Sequence, residues 1–218
     1  MKIKSSNENS FLYVSKKFFP PFLDSIIRIS PKKLIKSISP FPRIMCQHCG
    51  LWNRAILCPP LLYQTYPQFS TIESSKDFFS SFTDIYLYIF KNDGTKRWWM
   101  LKDQEAFKHL KLRKQKARQL KGCEASSARQ LTKMMRKVRT VNTKRGFECF
   151  TFISGHCDFC ARKCPNRENP PCERGGLPSL EAAGINVYHL LTSVGVPYEY
   201  PVINYLTLVN MMAVKRNG

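Results

Sequence analysis

The chain has 218 residues, of which 43% are hydrophobic and 23% are charged, and this composition excludes a wholly disordered, collagen-like or fibrous protein. Lys and Arg number 35 against 15 acidic residues, so the formal net charge is +20. No apolar run approaches the roughly 20 residues that span a bilayer and the polar N-terminus lacks a signal-peptide pattern, so we expect a cytoplasmic protein without a transmembrane segment.

The fourteen prolines are concentrated toward the two ends of the chain, and none lies between Pro67 and Pro165. Because proline interrupts helices and strands, this distribution predicts regular structure in the middle and loops at both flanks. We expect residues 1–25 to form a basic N-terminal extension and residues 26–218 to form a single cysteine-rich metal-binding domain.

The middle of the chain carries one strand pattern followed by two helix patterns. Phe82–Phe90 is β-branched and aromatic and ends at an Asn-Asp-Gly turn, which predicts a buried strand. Apolar spacing predicts a helix over residues 103–121 that stops at Gly122. A second helix is predicted from Ser126 or Ser127 to about Arg139, with its methionine pair in the core.

The C-terminal third adds two strands and a helix. Phe147–Ile153 reads as a strand that runs directly into the late cysteines, and Tyr205–Val214 as a last strand. Between them a helix is predicted to start at Ser179 and to stop at Gly195. The alternation predicts an α/β or α+β fold, with a small central sheet, flanking helices and cysteine-rich loops at strand ends.

The chain contains nine cysteines, and disulfides are rare in the cytoplasm, so we interpret them as ligands or free thiols. A late group reads Cys157-x2-Cys160-x3-Cys164-Pro, then Cys172. Cysteines two residues apart can place both sulfurs on one metal centre. A further cysteine followed by proline is similar to the ligand runs of [4Fe–4S] proteins, although the usual run has two residues between its second and third cysteines.

An early group reads Cys46-x2-Cys49-x8-Cys58-Pro-Pro. Three thiolates do not complete a four-coordinate site, so a fourth ligand is needed. Candidates are one of the late cysteines, a non-protein ligand, or one of three further side chains, namely His48, Cys149 and His156.

Zinc is the main alternative to an iron–sulfur cluster. Two knuckles, Cys46-x2-Cys49 and Cys157-x2-Cys160, would make a four-thiolate zinc site. That site would leave Cys58, Cys164 and Cys172 without a role, and seven grouped thiols suit a cluster better. Cys123 and Cys149 lie outside both groups, and Cys149 is expected to be a small buried hydrophobe.

Residues 96–145 form a strongly basic stretch, with 17 Lys or Arg and 3 acids, a net charge of +14. The simplest interpretation is a solvated helix face. Contact with nucleic acid or with an anionic membrane surface would also use such charge. Trp98 and Trp99 could stack on bases, although packing in the core or at its rim is the simpler interpretation.

The cysteine order, with the Pro-Pro turn after Cys58 and the segment Pro178-Ser-Leu-Glu-Ala-Ala-Gly-Ile-Asn-Val187, resembles a family of prokaryotic "predicted metal-binding proteins" that is classed as a domain of unknown function. The resemblance begins near Ile26 and covers most of the chain. It implies that seven cysteines are ligands of a presumed iron–sulfur centre, namely Cys46, Cys49, Cys58, Cys157, Cys160, Cys164 and Cys172. It implies no reaction.

Motifs for phosphate loops, nucleophile elbows and zinc proteases are absent from the sequence. Glu181 could act as an acid or base, but a favourable charge at a helix start is the simpler interpretation. We therefore expect a [4Fe–4S] protein that transfers electrons or assists a partner enzyme, or a cluster-dependent enzyme acting on RNA. The alternative is a zinc-stapled nucleic-acid-binding module.

Overall fold

The computed structural model describes residues 2–4, 22–49, 57–93, 110–155, 176–198 and 205–216. Within these ranges the strands are β1 Lys2–Lys4, β2 Leu23–Ile29, β3 Asp84–Asp93, β4 Phe147–Phe152 and β5 Tyr205–Arg216. The α-helices are α1 Pro31–Ile35, α2 Phe41–Gln47, α3 Leu62–Thr65, α4 Ile72–Ser80, α5 Leu110–Lys144 and α6 Val187–Ser193, with a 3-10 turn at Pro67–Phe69.

The five strands form one sheet in the order β1-β2-β3-β5-β4. The short β1 is parallel to β2, and every other neighbouring pair is antiparallel. The long central pair runs from Asp84 opposite Val214 to Asp93 opposite Tyr205. The mixed α/β fold with a small central sheet and flanking helices is thus confirmed.

Both faces of the sheet are buried, since alternate residues of a strand point to opposite sides. The α5 face carries Tyr86, Tyr88 and Phe90, which form one hydrophobic cluster with residues of α5. The α1 face carries Ile85, Leu87 and Ile89, which form a second cluster with residues of α1, α4 and α6. The sheet is therefore the middle layer between one long helix and several short ones.

An aromatic cluster fills the α1 face beside β4. The ring of Phe69 is fully buried, and its centroid lies 5.1–6.1 Å from those of five other rings, namely Tyr66, Phe78, Phe79, Phe150 and Phe152. Several of these pairs are edge-to-face, the arrangement that aromatic quadrupoles favour. This cluster joins the 3-10 turn and α4 to the edge strand of the sheet.

The strands predicted in the middle and C-terminal parts are confirmed with small changes of boundary, and Met134 and Met135 are in the core as expected, 3% and 0% exposed. The predicted stop at Gly122 is wrong, because α5 continues through it without interruption. A glycine lowers helix stability by about 1 kcal/mol, which a long helix packed on a sheet tolerates. Ser127 lies within this helix, where it accepts a hydrogen bond from Asn92 at 3.3 Å.

The expectation that the first proline-rich flank is a loop is wrong. It contains β2 and four helices, and Pro31 occupies the first turn of α1, where its missing N–H costs nothing.

The helix predicted from Ser179 begins only at Val187, capped by Asn186, whereas its stop at Gly195 is confirmed by a φ of +71°. The predicted boundary between the N-terminal extension and the domain lies between residues 25 and 26. Strand β2 spans this point, and the boundary stays a prediction.

Among the described residues, no helix combines the length and the apolarity that crossing a membrane requires.

Candidate metal centre

The segment Pro178–Asn186, called here the connecting segment, is bound at its first end to the end of strand β4. The N–H of Ile153 donates to the carbonyl of Pro178 at 3.0 Å, and the N–H of Leu180 donates to the carbonyl of Ile153 at 2.9 Å. Ile153 precedes the late cysteine group and Pro178 follows it. The two chain ends that flank the late group therefore lie side by side.

At its other end the connecting segment is bound to the chain just before α2. The N–H of Ser39 donates to the carbonyl of Gly184 at 3.0 Å, and the N–H of Asn186 donates to the carbonyl of Ser37 at 2.8 Å. Ser39 is followed by Pro40 and then by α2, which carries Cys46. One segment thus joins the approach to the early cysteines with the flanks of the late ones.

Helix α2 is fixed in place by Arg43. Its guanidinium donates to the carbonyls of Phe69, Ser70 and Thr71 and to the hydroxyl of Ser75, at 2.7–3.1 Å, and it lies 5.9 Å from the centre of the Tyr63 ring. Five donors in a rigid fork allow one arginine to bind several carbonyls at once. Sequence reasoning missed Arg43, because no local pattern marks a side chain whose acceptors are 26–32 residues away.

Gly184 allows the connecting segment to approach Arg43. Its φ is +86°, a conformation that side chains rarely adopt, and a Cβ there would lie 3.3 Å from Arg43 Nε. The glycine is therefore required both by the backbone conformation and by the neighbouring guanidinium.

One early cysteine lies on a short helix and the other two lie in turns beside short helices, so the expected cysteine-rich loops at strand ends stay a prediction. Cys46 is in the last turn of α2 and is half-buried, whereas Cys49, just beyond the helix, is exposed. The N–H of Cys49 donates to the carbonyl of Cys46 at 3.0 Å, which keeps both residues within one turn. Cys58 is half-buried just before α3, and its carbonyl accepts from Leu62 N–H at 2.9 Å.

Glu181, in the connecting segment, interacts with Cys46 and with the chain just before the late cysteine group. Its Oε2 accepts a hydrogen bond at 3.3 Å from the N–H of Gly155, two residues before Cys157. The pKa of the Cys46 thiol is raised to about 11, chiefly by burial and then by the negative charges of Glu181 and Cys49, while Arg43 lowers it. Glu181 lies in a turn and not at a helix start, so the helix-dipole interpretation of this residue is wrong.

The chemistry of these side chains fits a metal cation. The pKa of the half-buried Cys46 thiol is raised, so this thiol is protonated at neutral pH, and a bound metal would displace the proton and supply positive charge. Among the described residues, however, no group of three or more His, Cys, Asp or Glu could hold a metal ion. Cys46, Cys49, Cys58 and Glu181 therefore do not form a metal-binding group by themselves.

The remaining predicted ligands cannot be placed. Cys157, Cys160, Cys164, Cys172 and His156 lie outside the described residues, so their role as ligands stays a prediction. His48 is exposed at the end of α2. Cys149, on β4, is partly buried against the cluster of the α5 face, in line with its interpretation as a small hydrophobe.

Part of the basic stretch forms an exposed face of α5. Residues 126–145 carry seven Lys or Arg and no acid. Lys133, Lys137, Lys144 and Arg145 are exposed, while Leu131, Met134, Met135 and Val138 are buried against the sheet. Trp98, Trp99 and His109 lie outside the described residues, as does the side chain of Cys123.

Comparison with known proteins gives one positive result. The model of the family described as "predicted metal-binding protein (DUF2284)" matches residues 29–214. The chain belongs to this family. The match contains both cysteine groups, the connecting segment and all the helices described above, so metal binding is the property that this family is predicted to share. No curated protein and no solved structure gives a significant match to the chain.

Proposed function

We propose that the two cysteine groups bind one [4Fe–4S] cluster, which serves electron transfer or the needs of a partner enzyme. Its ligands would come from seven thiols, namely Cys46, Cys49, Cys58, Cys157, Cys160, Cys164 and Cys172. The observation that carries the proposal is the connecting segment, which is hydrogen-bonded both to Ile153 and to Ser37 and Ser39. It brings the chain just before α2 and the residues that flank the late group to the same segment.

The cysteine-proline run of the late group favours a cluster over zinc. A structural zinc and a [4Fe–4S] cluster each take four cysteine ligands, but three closely spaced cysteines that end in Cys164-Pro are similar to the ligand runs of [4Fe–4S] proteins. Such a cluster would supply a one-electron carrier whose potential depends on nearby hydrogen bonds and on solvent exposure. The half-burial of Cys46 is a suitable surrounding for such a centre.

The protein's own residues would fix the positions of the thiolates. Arg43 holds α2, and with it Cys46, against the carbonyls of residues 69–71. Glu181 holds Gly155, at the entrance to the late group, through the 3.3 Å hydrogen bond. These contacts keep the two parts of the site close together.

Metal analysis of the full chain purified without oxygen tests the proposal. We expect a brown protein with about four iron and four sulfide per chain, bleached by dithionite and restored by oxidation. A colourless protein with about one zinc per chain would contradict the proposal and support the zinc site.

Single cysteine variants test the ligand assignment. Cys46→Ser, Cys157→Ser, Cys160→Ser and Cys164→Ser should each lower iron content to less than half, because a lost thiolate weakens the cluster. Cys149→Ser is the matched control, since Cys149 is partly buried on β4 and outside both groups. Full iron content in all four ligand variants would contradict the assignment.

A second candidate function, contact with nucleic acid, is favoured by the exposed basic face of α5. Its lysines at positions 133 and 137 lie one turn apart on the helix surface. The salt dependence of oligonucleotide binding is the slope of the logarithm of the binding constant against the logarithm of the salt concentration. If the two lysines neutralise phosphates, the double variant Lys133→Ala/Lys137→Ala should make this slope shallower by about 1.5. An unchanged slope, or no binding at all, would contradict this function.

A further inference from the structure

A basic cavity lies between α1 and α6, on the side of the sheet opposite α5. Its volume is about 440 Å³, and it is lined by Lys32, Lys33, Lys36, His189 and serine side chains. Leu34 and Leu190, on the same two helices, belong to the cluster of the α1 face, which places the cavity there. None of the described residues that line it is acidic.

The three lysines bring positive charge together, and none of them is in an ion pair with a described acidic residue. The ion pairs found among the described residues, Arg28–Asp84 and Lys91–Asp24, do not involve them. Lys32, in α1, and Lys36, the C-cap residue just after it, are four residues apart, a helical spacing at which like charges repel each other. A bound anion would remove this repulsion.

A histidine completes the lining and is oriented by a buried serine. The Nδ1 atom of His189 lies 3.2 Å from the hydroxyl oxygen of Ser37, which is only 1% exposed. If the hydroxyl donates to Nδ1, the neutral ring carries its proton on Nε2 and can donate it to a ligand. The serine contact accounts for one of the two ring nitrogens of His189.

We propose that this cavity binds a phosphate group, as inorganic pyrophosphate or as part of a phosphate ester. Lysine ammonium groups bind phosphate oxygens as point charges, and several of them match a ligand that carries two or more negative charges. The volume is within the roughly 300–1,000 Å³ of small-ligand sites. The basic face of α5 is on the opposite side of the sheet, so the cavity is a separate site and not an extension of that surface.

Calorimetric titration of the full chain with inorganic pyrophosphate at low salt tests the proposal. Lys32→Ala/Lys36→Ala should weaken binding at least tenfold, and Lys32→Arg/Lys36→Arg should stay within threefold of the unmodified protein. The control is Lys76→Ala/Lys215→Ala, which removes the same charge from positions on α4 and β5 that lie outside both basic surfaces and should change affinity less than twofold.

Equal weakening by both alanine pairs would overturn the proposal, because the loss would then reflect net charge alone. Absence of pyrophosphate binding at millimolar concentration would also overturn it. Competition by a short single-stranded RNA identifies the source of the phosphate. If RNA displaces pyrophosphate and loses affinity in Lys32→Ala/Lys36→Ala, the group belongs to a nucleic acid, and if it does not compete, the ligand is a small molecule.

Discussion

The two faces of the sheet are covered in different ways. On the α5 face one continuous helix of 35 residues packs its apolar stripe against the strands. On the α1 face the cover consists of helices of 4–9 residues joined by loops, and long-range hydrogen bonds from Arg43 and the connecting segment hold them together.

This difference corresponds to a difference in role. A long helix keeps its shape through its own backbone bonds, whereas short helices are marginal in isolation and depend on tertiary contacts. The early cysteines, Glu181 and the basic cavity all belong to the second kind of structure. Core variants on the α1 face should therefore change both the stability of the protein and its metal content. Core variants on the α5 face should change the stability but leave the metal content of the folded protein unchanged.

The largest effect is expected at Phe69. Phe69→Ala removes a fully buried ring that contacts five others and should lower the free energy of unfolding by about 4 kcal/mol. Because the carbonyl of Phe69 also accepts from Arg43 at 2.7 Å, metal content should fall as well. Denaturant unfolding and iron analysis measure the two effects.

Met135→Ala is the control for Phe69→Ala on the other face. Met135 is fully buried against the sheet, and its loss should cost about 3 kcal/mol. Folded Met135→Ala protein should retain its metal. If it loses metal as fully as Phe69→Ala does at equal folded fraction, the two faces do not differ in role.

The next effect is expected at Arg43. Arg43→Lys keeps the charge but loses the fork, so several of the four acceptors lose their donor and the protein should lose about 3 kcal/mol of stability. Cys46 lies one turn further along α2, so cluster loading should fall too. Stability equal to that of the unmodified protein would show that these hydrogen bonds contribute little.

The same contrast explains what the sequence could predict. Strands β3, β4 and β5 and the apolar stripe of α5 follow from local patterns, since runs of β-branched and aromatic residues and a helical period are visible within a short window. Helices α1 and α2 were missed because the prolines in their first turns are also typical of loops. Helices α3 and α4 were missed because helices of 4 and 9 residues depend on their packing.

The candidate site divides in the same way. Cysteine spacing predicts which thiols are ligands, because two cysteines separated by two residues are a local pattern, and this assignment stays a prediction. The pairing of Ser37 and Ser39 with residues 184–186 is not local, and no sequence pattern predicts it. Glu181 attracted attention in the sequence, but its hydrogen bond to Gly155 depends on that pairing as well.

A smaller effect is expected at Gly184. Gly184→Ala forces a side chain into the left-handed region beside Arg43 Nε and should cost about 2 kcal/mol. The matched control is Gly195→Ala, which has the same type of strain at φ +71° but no atom within 4 Å of the added Cβ. The control should lose about 1 kcal/mol. Equal losses would show that contact with Arg43 adds nothing.

The smallest effect is expected at Gly122 and has the opposite sign. Glycine inside a helix is less stable than alanine by about 1 kcal/mol, so Gly122→Ala should raise the stability of a protein in which α5 is continuous. If two helices met at this glycine in a left-handed turn, as the sequence suggested, alanine would be strained there and would lower stability. The sign of the change in thermal unfolding therefore distinguishes one long helix from two short ones.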